Sequence, residues 1–264
     1  MSAALSEVAT YSRRVRASAE RVWENVHDWE HLPTLHAASF RSIRCARADA
    51  NGWRAQIGLA NGGEIALELS LESDRRSYHS RTVGGPGAGT DIFTRVTEVG
   101  AHATDIAVAF LAPNVPADAV SKLGAAFVQL YTRLWDEDEA MMQHRQAFLD
   151  GVAPRPPRPG ARAPKLLGRA DALRAQLPLA VDVAGDAWLV REHAGRLVAH
   201  AVACPHWGAS LASARIEENA VMCPWHGYRF DLASGRGPAA QRCRMPARAE
   251  VRVTERGEAW LVIS

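Results

Sequence analysis

An α+β domain followed by a small all-β domain is the architecture the sequence predicts, and three observations predict it. A proline-rich stretch divides the chain. Helical and strand periods alternate before it, and only short strands bounded by glycine-rich turns follow it. The 264 residues suffice for two modest domains. The boundaries read as 1–150, a linker at 151–165 and a second domain at 166–264.

Residues 7–17 alternate as a strand. Ser18 then caps a helix that carries Glu20 and Arg21 in its first turn. Strands are expected near 38–48, 53–60, 64–72, 76–83, 89–98 and 103–111, separated by Asn51-Gly52, Asn61-Gly62-Gly63 and Gly84-Gly85-Pro86-Gly87. From Ala117 to Leu149 the period is helical, with Val120, Leu123, Phe127, Leu130, Leu134, Met141 and Phe148 on one stripe. The five prolines and two glycines of residues 151–165 cannot sustain a helix or an interior strand. Beyond them, strands are expected at 180–184, 187–192, 196–202, 221–223, 228–230, 250–254 and 259–263.

Composition narrows the function. With 31 Lys plus Arg against 29 Asp plus Glu, the formal charge is +2, which argues against a nucleic-acid partner held by a bulk basic field. No apolar run is long enough to cross a bilayer, so no membrane partner is expected. Arg13-Arg14 lacks an apolar segment after it, and Arg16, Ser18, Glu20 and Arg21 stand there instead. Four cysteines do not make a disulfide framework in a chain of this length, and a cytoplasmic protein is expected.

The order of elements over residues 7–150 resembles the helix-grip fold of START-like (SRPBCC) and Bet v 1-like proteins, in which a curved sheet wraps a long helix. That resemblance implies a pocket for a small apolar ligand. Ile57, Leu59, Leu67, Leu69, Ile92 and Phe110 are candidates to line it.

The strongest motif is Cys204-Pro205-His206, then sixteen residues, then Cys223-Pro224-Trp225-His226-Gly227. Two thiolates and two imidazoles on two loops suit an iron–sulfur cluster in which histidines replace cysteines on one iron. A Cys₂His₂ set also suits structural zinc, but the C-x-H spacing and the glycine-rich turns fit zinc fingers poorly. The spacing and surrounding residues resemble the Rieske family. The resemblance implies a [2Fe–2S] cluster with Cys204 and Cys223 on one iron and His206 and His226 on the other. Ala209 and Trp225 stand where respiratory Rieske proteins carry a bridging disulfide, so the lower-potential Rieske centres of ferredoxins and oxygenases are the nearer likeness. Cys45 and Cys243 lie outside the motif and read as ordinary thiols.

A second constellation, Asp28-x₂-His31-x₄-His36, lies after the first helix. Two imidazoles and a carboxylate form the facial triad of non-haem Fe(II) oxygenases. Pro33 breaks the helical ladder between the histidines, which lets them converge. The segment resembles the mononuclear-iron motif of Rieske non-haem iron oxygenases. By that resemblance His31 and His36 are iron ligands, and Asp28 is a bridging carboxylate that accepts a hydrogen bond from a cluster histidine, His226. The third ligand would come from Asp136-Glu137-Asp138-Glu139, with Asp138 the choice and Asp136 the fallback.

The resemblance implies an oxygenase component that uses O2 to hydroxylate or dealkylate a small, mostly apolar substrate. Its cofactors would be a [2Fe–2S] cluster and a mononuclear Fe(II). An NAD(P)H-dependent reductase or a ferredoxin would supply electrons, and a homotrimer is expected. The Rieske domain follows the catalytic domain here, whereas in the family it usually precedes it. Two alternatives stay open: a Rieske electron carrier fused to a hydrophobic-ligand-binding module, and a polyketide cyclase with a regulatory cluster.

Overall fold

The computed structural model describes residues 5–72, 74 and 76–264, and the chain divides into two compact units, Met1–Gln146 and Ala147–Ser264. The first unit begins with β1 (Leu5–Val15), α1 (Ala19–His27), a 3₁₀ turn (Trp29–His31) and α2 (Leu32–Leu35). Six strands follow: β2 (Phe40–Asp49), β3 (Gly52–Leu59), β4 (Glu64–Leu71), β5 (Ser77–Gly84), β6 (Asp91–Gly100) and β7 (Ala103–Pro113). The long helix α3 (Val120–Leu149) completes the order.

The seven strands form one antiparallel sheet in the order β1-β7-β6-β5-β4-β3-β2. Strands two to seven are a plain meander, and β1 pairs with β7 at the far edge. The chain must therefore cross the sheet between β1 and β2, and α1, the 3₁₀ turn and α2 make that crossing. This is the helix-grip arrangement, mixed α and β, as the sequence predicts.

Local chemistry explains the crossing. Ser18 accepts from the Arg21 N–H at 3.3 Å and starts α1. Asp28 leaves helical geometry at φ −86°, ψ 85°, and its Oδ1 accepts from Glu30 N–H at 3.3 Å. Pro33 sits in the first turn of α2, where its missing N–H costs nothing. Hence His31 and His36 lie on two short helical pieces instead of one continuous helix.

Val15, Val22, Ile57, Ile106 and Phe110 are fully buried between sheet and helices. Gly124 lets α3 pass close to β1, since a Cβ there would stand 2.3 Å from the Val8 carbonyl oxygen. Beside this core lies a cavity of about 340 Å³. Leu59, Leu67, Leu69 and Ile92 line it, whereas Ile57 and Phe110 pack into the core, Phe110 stacked on Phe127 at 5.0 Å.

The second unit holds β8 (Arg162–Arg169), α4 (Ala170–Arg174), β9 (Leu179–Val183), β10 (Asp186–His193) and β11 (Arg196–Ala201). Then come β12 (Ile216–Glu217), β13 (Ala220–Met222), β14 (Arg229–Asp231), β15 (Ala249–Val253) and β16 (Glu258–Ile263). One sheet runs β8-β16-β15-β11-β10-β9, and β12-β13-β14 form a separate three-stranded sheet. The small sheet carries one of the two motif loops on its β13–β14 hairpin.

The proline-rich stretch differs from expectation at its end. Residues 162–165 are not spacer but the start of β8, an edge strand. Pro164 is tolerated there because it falls at a register shift in the pairing with β16. Arg158 and Arg162 reach the Asp186 carboxylate at 3.2 and 3.1 Å, which ties the stretch to this unit's sheet. Among the described residues no helix is long and apolar enough to cross a membrane.

Candidate metal centres

The crossing and α3 meet at three buried side chains. His31, His36 and Asp138 offer ligand atoms that all lie within 4.8 Å of one another, and they are 3%, 2% and 8% exposed. The two imidazoles stand nearly perpendicular, ring centres 5.0 Å apart.

The nitrogen turned away from the meeting point is held in both rings. His31 Nδ1 lies 3.2 Å from Asp28 Oδ2, and His36 Nδ1 lies 2.6 Å from Glu137 Oε2. Donation from Nδ1–H to a carboxylate leaves Nε2 with the lone pair, the form that binds a metal. Both Nε2 atoms face the Asp138 Oδ1, at 3.5 Å for His31 and 3.1 Å for His36. These are short approaches, yet the buried Asp138 Oδ1 has no hydrogen-bond partner. Three lone pairs converging on one buried point repel unless a cation or a proton lies between them. The residues fit a mononuclear metal of the 2-His-1-carboxylate class.

The carboxylates also make the site favourable to positive charge. Burial pulls the His36 imidazolium down, and Asp138 and then Glu137 outweigh it, so its pKa is raised. Burial likewise pushes the Tyr78 phenol, on the cavity wall, up to about 12.

The acidic run on α3 separates into four directions, as steps of about 100° per residue require. Asp136 is 61% exposed at its side chain and pairs with Arg13 at 2.6 Å. Glu137 holds His36, and Asp138 enters the triad. Glu139 is buried and binds Arg13 and Arg16 of β1 and the turn after it. The sequence points to Asp138 but not to Glu137. The available signal was its place in the run, one position before the inward carboxylate. Asp28 is seen holding His31, a role in its own unit beside the bridging one expected of it.

In the second unit the cluster motif occupies two loops of the same design. In the first, Gly208 N–H donates to the Cys204 carbonyl at 3.0 Å, and Cys204 N–H donates to the Ala209 carbonyl at 2.9 Å. In the second, Gly227 N–H donates to the Cys223 carbonyl at 3.0 Å, and Cys223 N–H to the Tyr228 carbonyl at 2.7 Å. Each loop turns back through a glycine in the left-handed region, Gly208 at φ 82° and Gly227 at φ 66°. The loops bring His206 and His226 to a ring separation of 4.5 Å, and His206 stacks on Tyr228 at 4.5 Å.

Cys204 and Cys223 are buried at 0% and 1%, while His206 is only half-buried. The proximity of the two buried sulfurs pushes the Cys204 thiol up and holds the Cys223 thiol down. Two buried cysteines and two neighbouring imidazoles on paired loops are the donor set of a histidine-ligated [2Fe–2S] cluster.

Comparison with known proteins agrees with this geometry. Residues 164–253 match the family model of the Rieske [2Fe-2S] domain. No curated protein sequence matches the chain. Among solved structures, a START superfamily protein from Mycobacterium smegmatis is 15% identical, with TM-score 0.43, over 50% of this chain and 97% of its own. ZhuI aromatase/cyclase from Streptomyces sp. R1128 is 12% identical, with TM-score 0.44, over 54% and 96%. Norcoclaurine synthase from Thalictrum flavum is 16% identical, with TM-score 0.44, over 55% and 99%. A helix-grip unit is followed in this chain by a C-terminal domain that matches the Rieske [2Fe-2S] model.

Proposed function

We propose that the protein is the oxygenase component of a Rieske non-haem iron system, acting on a small, mostly apolar substrate with O2. The observation that carries this reading is the Asp138 Oδ1, buried and without a hydrogen bond, facing the Nε2 atoms of His31 and His36. When bound, the cluster supplies single electrons and the Fe(II) supplies open coordination positions for dioxygen.

The chain's own residues do the rest. Asp28 and Glu137 fix the tautomer and direction of the two imidazoles, so that neither must reorganise to accept a metal. Leu59, Leu67, Leu69 and Ile92 keep the adjoining cavity apolar, which favours a hydrocarbon-rich substrate over water. Cys204, Cys223, His206 and His226 hold the cluster. Asp28 accepts from His31 in this unit and, in the proposed relay, also from His226 across a subunit contact within a homotrimer. A reductase or ferredoxin that draws on NAD(P)H is the proposed electron source.

Iron analysis of anaerobically prepared protein tests the reading. Three irons per chain are expected, together with substrate-dependent oxygen uptake when protein pre-reduced and freed of excess dithionite is mixed with aerobic buffer and an apolar substrate. Two irons per chain would leave a Rieske electron carrier joined to a ligand-binding module.

A further inference from the structure

The cavity beside the triad is lined by polar residues that the metal reading does not use. On β5, Tyr78, Ser80 and Thr82 alternate toward the interior, and all three are buried and line the cavity. Thr90, whose carbonyl accepts from Thr82 N–H at 3.0 Å, lines it too. Ser80, Thr82 and Thr90 are 7%, 8% and 7% exposed, and among the described residues their hydroxyls have no hydrogen-bond partner. Three hydroxyls on a single cavity wall, with no protein partner to satisfy them, are placed to hydrogen-bond a ligand.

Their position along the strand gives the ligand its length. Tyr78 lies near enough to Asp138 to feel its charge. Strands rise about 3.3 Å per residue, so Thr82 lies roughly 13 Å further along β5 than Tyr78. Charge gives the ligand's second property. Among the described residues, no Arg or Lys lines the cavity, and its ionisable lining groups are those at the triad end and the two tyrosines. An anionic group at the hydroxyl end would be buried without a counter-charge, at a large desolvation cost.

We infer that the cavity takes an uncharged, elongated, mostly apolar molecule whose hydroxyl or carbonyl oxygen seats against Ser80, Thr82 and Thr90. Its apolar end then lies toward His31, His36 and Asp138. That this molecule is the substrate rests on the function proposed above; that it binds does not.

Equilibrium dialysis of the full chain against three probes of one shape tests the inference: 4-cyclohexylphenol, cyclohexylbenzene and 4-cyclohexylbenzoate. The phenol is expected to bind about tenfold tighter than the hydrocarbon and tighter still than the carboxylate. The triple variant Ser80→Ala, Thr82→Val, Thr90→Val is expected to lose that preference and keep its affinity for cyclohexylbenzene, which also reports that it has folded. Should the triple variant not fold, Thr82→Val alone is expected to cut the preference at least about threefold. Equal binding of phenol and hydrocarbon, tightest binding of the carboxylate, or a preference untouched by the variants would overturn the inference. Iron content of the same sample keeps the two readings apart. Phenol preference with two irons per chain leaves the binding wall without the oxygenase, and three irons with no preference leaves the oxygenase without this wall.

Discussion

His36 and Glu137 come from elements 101 residues apart, yet the imidazole Nδ1 stands 2.6 Å from the carboxylate Oε2. That contact decides which nitrogen of His36 is left to face Asp138. Glu137→Ala removes the acceptor and frees the ring to rotate or change tautomer. Loss of such an outer partner costs about 10–100-fold in metal affinity. Fe(II) titration of the variant should show this weakening at the triad alone, with the visible spectrum of the cluster unchanged. Glu137→Gln keeps an acceptor oxygen and should fall between wild type and alanine.

Asp136 and Asp138 give opposite expectations from neighbouring positions. Asp138→Asn should abolish binding of the third iron, because its oxygen is the one at which the two imidazoles meet. Asp136 is exposed and pairs with Arg13, so Asp136→Asn should retain the iron and change stability by about 1 kcal/mol or less. Iron retention by both variants would remove the triad.

Asp28 holds His31 by one oxygen and caps the 3₁₀ turn with the other. Asp28→Asn preserves size and one acceptor, so both metals should stay bound. Single-turnover product formation should nevertheless slow about 10–100-fold, because the amide carries no charge to stabilise a proton on the imidazole path. Unchanged single-turnover rates at full iron content would show that Asp28 serves only as a cap.

The limits of the sequence are physical and fall at particular residues. Cys204, His206, Cys223 and His226 were legible because a cluster dictates both residue type and spacing. His31 and His36 were legible because Pro33 visibly breaks the helix between them. Asp138 was legible only as one of two acids, since direction on a helix depends on which face packs, and Glu139 and Asp136 were claimed by arginines distant in sequence. Glu137 was not singled out at all, because its partner is brought to it by the fold. Ile57 and Phe110 alternate like cavity residues, yet neighbours fill the space beside them, and periodicity reads the face of a strand without reading what lies against it. The start of β8 was hidden by Pro164, which an edge strand accepts and an interior one would not.

His200 extends the argument to stability. It lies in β11 within the Rieske unit, 5% exposed, with Nδ1 2.8 Å from the Ala201 carbonyl oxygen. Burial, with Arg191 nearby, pushes its pKa down to about 4, against about 6.5 for an unfolded histidine. The neutral ring is therefore the form the fold stabilises. Its contribution is complete above about pH 6.5 and is lost as the pH falls from there through about 4, because the unfolded chain takes up the proton first. The loss amounts to about 3 kcal/mol across that window. Other groups, the cluster histidines included, titrate in the same range, so the informative quantity is a difference. Urea unfolding followed by cluster absorbance at pH 7 and pH 4 should show wild type losing about 3 kcal/mol more than His200→Gln. Parallel losses in the two proteins would mean that His200 is reached by water and titrates as it does in the unfolded chain.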